Sequence, residues 1–337
     1  MTSAAESIVE PVLPAAKMHL VMPGAPVTGR VTSNSICMRG KSSSFVRHVE
    51  IDISGTPLEG NFRSGQSFGI IPPGVDEHGR PHKVRLYSIA SPTWGEDGLG
   101  RIMSTTPKRL IAERSPHRKD DDPSDHSLFL GVCSNYLCNL RPGEPVQLSG
   151  PAGKRFLLPV DHEAHDYLFL ATGTGIAPFR GFMRELLEGP PAGSPAAASW
   201  KPCTRRIHLV MGTPYRTDLL YDDLFVSLAK KHSNFEYHTA VSRERRDDGG
   251  RGEYVHQYLE RRLDHFRKLI ASPTTLIYIC GLAGMQVGLF QMLGKHDLDR
   301  GFLTRDSQIA DVSPHDWTEE QIKRRVRPTH RCMLEVY

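Results

Sequence analysis

The chain has 337 residues, as a prior enough for about two domains, and its 39% apolar and 24% charged content suits buried cores rather than disorder. Its formal charge of +4, from 42 basic and 38 acidic side chains, is too balanced to indicate nucleic acid, though it leaves room for one local basic face. Six cysteines form no disulfide framework at this length and point to a reducing compartment, expected to be the cytoplasm. Cys133 and Cys138 are separated by four residues, but no third cysteine follows at iron–sulfur spacing, and no metal site is expected. No apolar run reaches the roughly 18 residues of a membrane span. The first residues lack the basic start and apolar centre of a signal peptide.

Residues 1–25, rich in Ala, Pro and Ser, read as an extension. From 26 to 158 the pattern is short strands with turn punctuation. FVRHVEIDI (45–53) alternates apolar and polar residues, and SGQSFGIIPPG, RLYSIAS, GRIMSTTPKRLI and EPVQLSG continue the series. Such spacing predicts an antiparallel β-barrel uninterrupted by a long helix. The polar stretch 113–127 reads as a long exposed loop. From 163 to 337 the rhythm changes to strands alternating with helices: DYLFLAT, RRIHLVMGT, FEYHTAV and TTLIYICGL are strands, and 177–189, 219–232, 255–271 and 283–296 are helical. This predicts a doubly wound parallel sheet, and hence a two-domain β plus α/β chain. The stretch 188–202, rich in Pro, Ala and Gly, reads as a flexible insertion.

Ligands of such sheets sit beyond the C-terminal strand ends. There, Thr172-Gly173-Thr174-Gly175 leads from strand to helix, where glycines admit a pyrophosphate and the helix N-terminus attracts it. The plain alternative is a structural turn. Arg85-Leu86-Tyr87-Ser88 offers a phosphate ligand, an aromatic face and a hydroxyl on one strand, where a snorkelling arginine is the plain alternative. In Gly131-Val132-Cys133-Ser134, small residues allow backbone amides to reach a second phosphate.

These clusters, in this order, resemble the plant-type ferredoxin–NADP reductase family. Further matches are Met211-Gly212-Thr213-Pro214, Ala240-Val241-Ser242-Arg243-Glu244, Tyr278-Ile279-Cys280-Gly281-Leu282 and Glu335-Val336-Tyr337. The resemblance implies two cofactors, FAD and NADP. Arg85 is then the FAD phosphate ligand, Tyr87 packs on the flavin with Leu86 beside it, and Ser88 sits by flavin N5, where hydride passes. Val132, Cys133 and Ser134 hold the FAD pyrophosphate, and Lys108, with Thr106 nearby, lies close to both cofactors' phosphates. Thr172, Gly173, Thr174, Gly175, Thr213 and Pro214 form the NADP pyrophosphate site. Ser242 and Arg243, with Arg251 behind, hold the 2′-phosphate, and Tyr254 lies under the adenine. Cys280, Gly281, Leu282 and Glu335 flank the nicotinamide. Tyr337 covers the flavin and yields to nicotinamide. Ser88, Cys280, Glu335 and Tyr337 are the catalytic candidates. Arginines where NADH enzymes place an acid agree with NADPH.

Two positions depart from the family pattern: Gly252 stands where a lysine is usual, and Ala112 where a tyrosine stacks on the FAD adenine. The implied activity is electron transfer between NADP(H) and an acidic one-electron carrier, ferredoxin or flavodoxin, by a monomer. Arg39, Lys41, Arg80 and Lys83 are candidates to meet that carrier. The stretch from about 45 to 92 also resembles the reductase half of benzoyl-CoA epoxidase-type oxygenase systems, the alternative reading. A flavin-binding regulator without turnover is a third, and it leaves Ser242-Arg243, Cys280 and Glu335 unexplained.

Overall fold

In chain order the first half forms β1 (Val27–Ile36), β2 (Arg47–Asp52), β3 (Ser67–Ile71), β4 (Arg85–Ser88), β5 (Ile102–Thr105), β6 (Ile111–Glu113), β7 (Leu128–Leu130), α1 (Val132–Asn139) and β8 (Pro145–Ala152). The computed structural model describes residues 7–42, 44–113 and 127–337, so the loop expected at 113–127 lies almost wholly outside the described residues. Six strands pair antiparallel in the order β4-β3-β8-β1-β2-β5. A bridge between Ile89 and Thr105 joins the two outer strands and closes the sheet into a barrel. Alternation sends Val31, Val49, Ile51, Phe68, Ile70, Met103, Val146 and Leu148 inward as one core.

The second half forms β9 (Asp166–Thr172), α2 (Ala177–Met183), β10 (Ile207–Thr213), α3 (Asp222–Lys231), β11 (Phe235–Val241), α4 (Val255–Arg261), α5 (Leu263–Ile270), β12 (Thr275–Gly281), α6 (Ala283–Lys295), β13 (Leu303–Arg305), α7 (Glu319–Arg325), β14 (Val326–Pro328) and β15 (Cys332–Val336). Its sheet is parallel, in the order β11-β10-β9-β12-β15. Successive residues of β9 face opposite cores. Tyr167 and Phe169 pack with Phe179 and Phe182 of α2 and Phe225 of α3. Leu168 and Leu170 pack with Leu259, Phe266, Leu289 and Phe290 of α4, α5 and α6. Burial on both faces explains the unbroken apolar runs of the central strands.

Several expectations need correction. The segment after Gly131 is a short helix, α1, which the strand pattern did not indicate and which lies between β7 and β8. The strand expected at 100–111 stops at Thr105 because Pro107 cannot donate to the ladder. The helix expected at 255–271 is two, broken at Arg262, whose φ of −111° and ψ of 31° are not helical. β15 was not foreseen as a strand. The stretch 188–202 is largely exposed but anchored at one point: the Trp200 indole donates to the Glu185 carbonyl at 2.6 Å and its ring covers Gly189.

Buried polar groups tie the two halves together. Glu96, beside the barrel, pairs with Arg180 of α2 and with Arg184. Burial opposes ionisation of Glu96, but the two arginines outweigh it and hold its carboxyl at about 2. The Tyr221 hydroxyl, from the second half, lies 2.6 Å from Thr106 Oγ1 and 2.9 Å from His48 Nδ1. Residues 7–21 run along both halves: the Val9 amide bonds the Pro273 carbonyl at 3.1 Å, Leu13 packs on the second-half core, and the His19 amide bonds the Pro151 carbonyl at 2.8 Å.

Candidate active site

The parallel strands all end on one edge of their sheet, so Thr172, Thr213-Pro214, Ser242-Arg243, Leu282 and Tyr337 come together there. Two clefts of about 580 Å³ each open along that edge. The first lies against the barrel and is lined by Arg85, Leu86, Tyr87, Ser88, Thr106, Val132, Cys133, Ser134 and Glu335. The second lies over the parallel sheet and is lined by Thr172, Gly173, Thr213, Pro214, Ser242, Arg243, Tyr254 and Leu282. Lys108, Thr174 and Tyr337 line both.

The first cleft fits a flavin nucleotide. Among the described residues no side chain caps the first turn of α1, and its first internal bond runs from the Asn135 amide to the Gly131 carbonyl. The amides of Val132, Cys133 and Ser134 therefore lack intrahelical acceptors and suit a pyrophosphate. A Cβ on Gly131 would lie 2.8 Å from Leu110 Cβ and from Ser134 Oγ, so this approach requires glycine. Arg85 is exposed, and among the described residues its side chain has only a long bond to the Val84 carbonyl at 3.3 Å. Burial, with Cys133 beside it, raises the Tyr87 hydroxyl pKa and keeps it neutral. Glu335 keeps exposed surface in the cleft, yet the surrounding protein lifts its carboxyl pKa, as suits a group that exchanges a proton.

The second cleft fits a dinucleotide phosphate. Gly173 has φ of +53° and open space where a Cβ would point. The amides of Ser242 and Arg243 bond the carbonyls of Thr213 and Pro214 at 3.0 and 2.9 Å, which fixes both residues at the rim. Arg243 has no carboxylate partner among the described residues, whereas Arg216 and Arg246 are held by Glu244 and Asp248. Tyr254, 62% exposed, stacks at 6.0 Å on His256, a cleft residue not singled out in the sequence.

Four of the sequence candidates line neither cleft. Gly175 packs under the edge, where a Cβ would lie 2.1 Å from the Cys280 carbonyl oxygen. Cys280 is fully buried, with its thiol pKa raised by that burial. Gly281 has φ of +140° and packs on Thr172, whose hydroxyl accepts the Leu282 amide at 2.9 Å. Arg251 is exposed outside both clefts. Tyr337 stands at the junction: its hydroxyl lies 2.7 Å from Thr174 Oγ1 and its amide bonds the Gly281 carbonyl at 3.0 Å.

The two departures have structural explanations. A Cβ at Gly252 would lie 2.5 Å from the Ser242 carbonyl oxygen and 2.6 Å from that of Glu244, so a lysine does not fit without moving the loop. Ala112 pairs across the β6–β7 ladder with Phe129. Phe129 is 46% exposed and lines the first cleft, so an aromatic ring is present there after all. Its only sequence signal is the apolar run just before Gly131.

A closed barrel, a parallel sheet and two clefts joined at one tyrosine define a two-domain oxidoreductase that uses a flavin and a pyridine dinucleotide. Residues 169–289 match the oxidoreductase NAD-binding domain model. Ferredoxin–NADP reductase of Spirulina is 35% identical over 322 residues, covering 95% of this chain and 98% of its own. The enzyme of Thermosynechococcus vestitus is 37% identical, covering 95% and 75%. The rice root isozyme is 37% identical, covering 84% and 72%. The Plasmodium falciparum ferredoxin-NADP+ reductase structure shares the fold at a TM-score of 0.67 and 22% identity, covering 95% of this chain and 99% of its own. The chain belongs to the ferredoxin–NADP reductase family, and nothing in these comparisons favours the oxygenase-reductase alternative.

Proposed function

We infer that this chain is a ferredoxin–NADP reductase, an FAD enzyme that moves electrons between NADP(H) and ferredoxin. The observation that carries this reading is the meeting of the two clefts at Tyr337. When bound, FAD supplies what the side chains lack, exchange of two electrons with nicotinamide and of one with a carrier. In this reading Arg85 and the first-turn amides of α1 hold the FAD phosphates, and Tyr87 and Tyr337 cover its ring. Ser88 and Glu335 present a hydroxyl and a carboxyl at the junction. Ser242 and Arg243 take the 2′-phosphate, and Tyr254 the adenine. Tyr337 excludes water and gives way to nicotinamide. The clefts are built from one chain, so the reading needs no second copy.

The carrier-facing surface follows from charge. Lys41 and Lys83 are exposed and unpaired among the described residues, and Lys83 lines the first cleft. Arg39 and Arg80 are already paired, with Asp222 at 3.1 Å and Asp76 at 2.9 Å, and are weaker candidates. No helix among the described residues is long and apolar enough to cross a membrane. All six cysteines are free, which supports a reducing compartment and a cytoplasmic placement. The FAD-loaded protein, given NADPH and then ferredoxin anaerobically, is expected to reduce the ferredoxin, at a rate that falls as salt screens the lysines. Flavin reduction without onward transfer to ferredoxin would overturn the assignment. Faster transfer to flavodoxin would make flavodoxin the carrier, and salt-independent transfer would remove the basic face.

Phe129 is the best-placed ring for the FAD adenine in place of the missing tyrosine. Phe129→Ala is expected to weaken FAD binding by about 3- to 10-fold, the scale of one aromatic stack. Fluorescence of flavin released on dilution measures this. Unchanged retention would mean that the adenine is held elsewhere.

A further inference from the structure

Four side chains unrelated to either cleft converge between the edge of the parallel sheet and α5. His208 on β10 pairs in register with Glu236 on β11. His238 lies two residues beyond Glu236 on the same face. His265 reaches in from α5. Their ligating atoms all lie within 4.8 Å of one another.

Three of the separations lie near the edge of a tetrahedron around one ion. His208 Nδ1 is 3.4 Å from His238 Nε2. Glu236 Oε2 is 3.3 Å from His238 Nε2 and 3.7 Å from His208 Nδ1. Metal–ligand bonds of about 2.0–2.1 Å around zinc give ligand–ligand edges of roughly 3.3–3.4 Å. His265 Nε2, at 2.9 Å from the same carboxylate oxygen, needs only a small outward shift. We propose that His208, Glu236, His238 and His265 form a structural zinc(II) site that ties α5 to the edge strand β11.

The surroundings suit such a site. The Tyr258 hydroxyl lies 3.0 Å from His238 Nδ1, which leaves Nε2 for the cluster, as an outer-shell partner of a ligating histidine does. The Phe266 ring packs edge-on against His208, His238 and His265, with centroids 4.9–5.6 Å apart. Three imidazoles and one carboxylate, with no thiolate, match zinc chemistry. The ligands lie too far apart in sequence to form a short metal motif, which is why no site was expected there.

The test uses FAD-loaded protein stripped with chelator. Titration with zinc(II) is expected to give one bound ion per chain and a higher Tm. Cobalt(II) in its place is expected to give the intense visible absorption of a tetrahedral site. His265 is half exposed, so His265→Gln should fold, keep its FAD and its NADPH oxidation, and lose zinc affinity by more than the roughly 10–100-fold typical of outer-shell changes. His238→Asn should behave likewise. Weak octahedral-type cobalt absorption, or zinc binding that survives both substitutions, would overturn the proposal and leave a hydrogen-bonded histidine–glutamate cluster.

Discussion

Arg243→Ala is expected to lower kcat/KM for NADPH by roughly 10- to 100-fold while leaving that for NADH nearly unchanged. The magnitude follows from a charge-assisted hydrogen bond, worth about 1.5–3 kcal/mol when its partner is charged. NADH lacks the 2′-phosphate and has no such bond to lose. Arg243 is the residue to change because it lines the second cleft, whereas Arg245 and Arg251 lie outside it and the remaining arginines nearby are paired. Arg216 is paired with Glu244 and Asp247, Arg246 with Asp248, and Arg261 with Glu253. Glu253 lines the same cleft and would repel a phosphate, but Arg261 at 2.6 Å neutralises it. Arg243→Lys should recover part of the preference, since an ammonium keeps the charge but not the planar fork. Steady-state kinetics with both nucleotides measure the effect. An equal loss for NADPH and NADH would assign Arg243 to general positioning.

The largest expected effect on stability is at Glu96. Glu96→Ala leaves Arg180, largely enclosed between the two halves of the molecule, without its carboxylate partner, while Arg184 keeps only Glu188 at 3.5 Å. Removing one partner of a buried ion cluster costs about 3–5 kcal/mol. The pH dependence has a definite sign. With its carboxyl held at about 2, below the ordinary value of 4.5, Glu96 contributes fully above about 4.5, and its contribution fades as pH falls toward 2. Urea unfolding between pH 7 and 3 should show wild type well above Glu96→Gln at neutral pH. The gap should narrow below about 4.5. A gap independent of pH would mean that the loss comes from packing rather than charge.

What the sequence revealed was chiefly local. Strand alternation and the glycine turn at Gly173 located the sheet and its functional edge, because both depend on neighbours in the chain. The strand β15 escaped notice because Cys332–Val336 is short and its partner, β12, is distant in sequence. Arg39 looked free for a carrier, but Asp222 claims it across the interface. Phe129 and the His208–His238–His265 cluster were hidden for the same reason: cross-strand and helix-to-sheet neighbours leave no mark in linear spacing. Gly252, first read as a lost lysine, marks a close backbone approach that appears only once the loop is folded.

The stretch 7–21 bears on the order in which the molecule assembles during synthesis. Its contacts lie on segments made much later: the Val21 bridge to Gly150, the Val12 bond to Val160 and the Val9 bond to Pro273. Domains generally fold as they emerge, N-terminal first. Here the contacts of Val12, His19 and Val21 need only positions 150 to 160, but Val9 cannot make its bond until position 273 has been translated. The clasp between the two halves is therefore completed late, in a step that a nascent chain halted before that point does not reach.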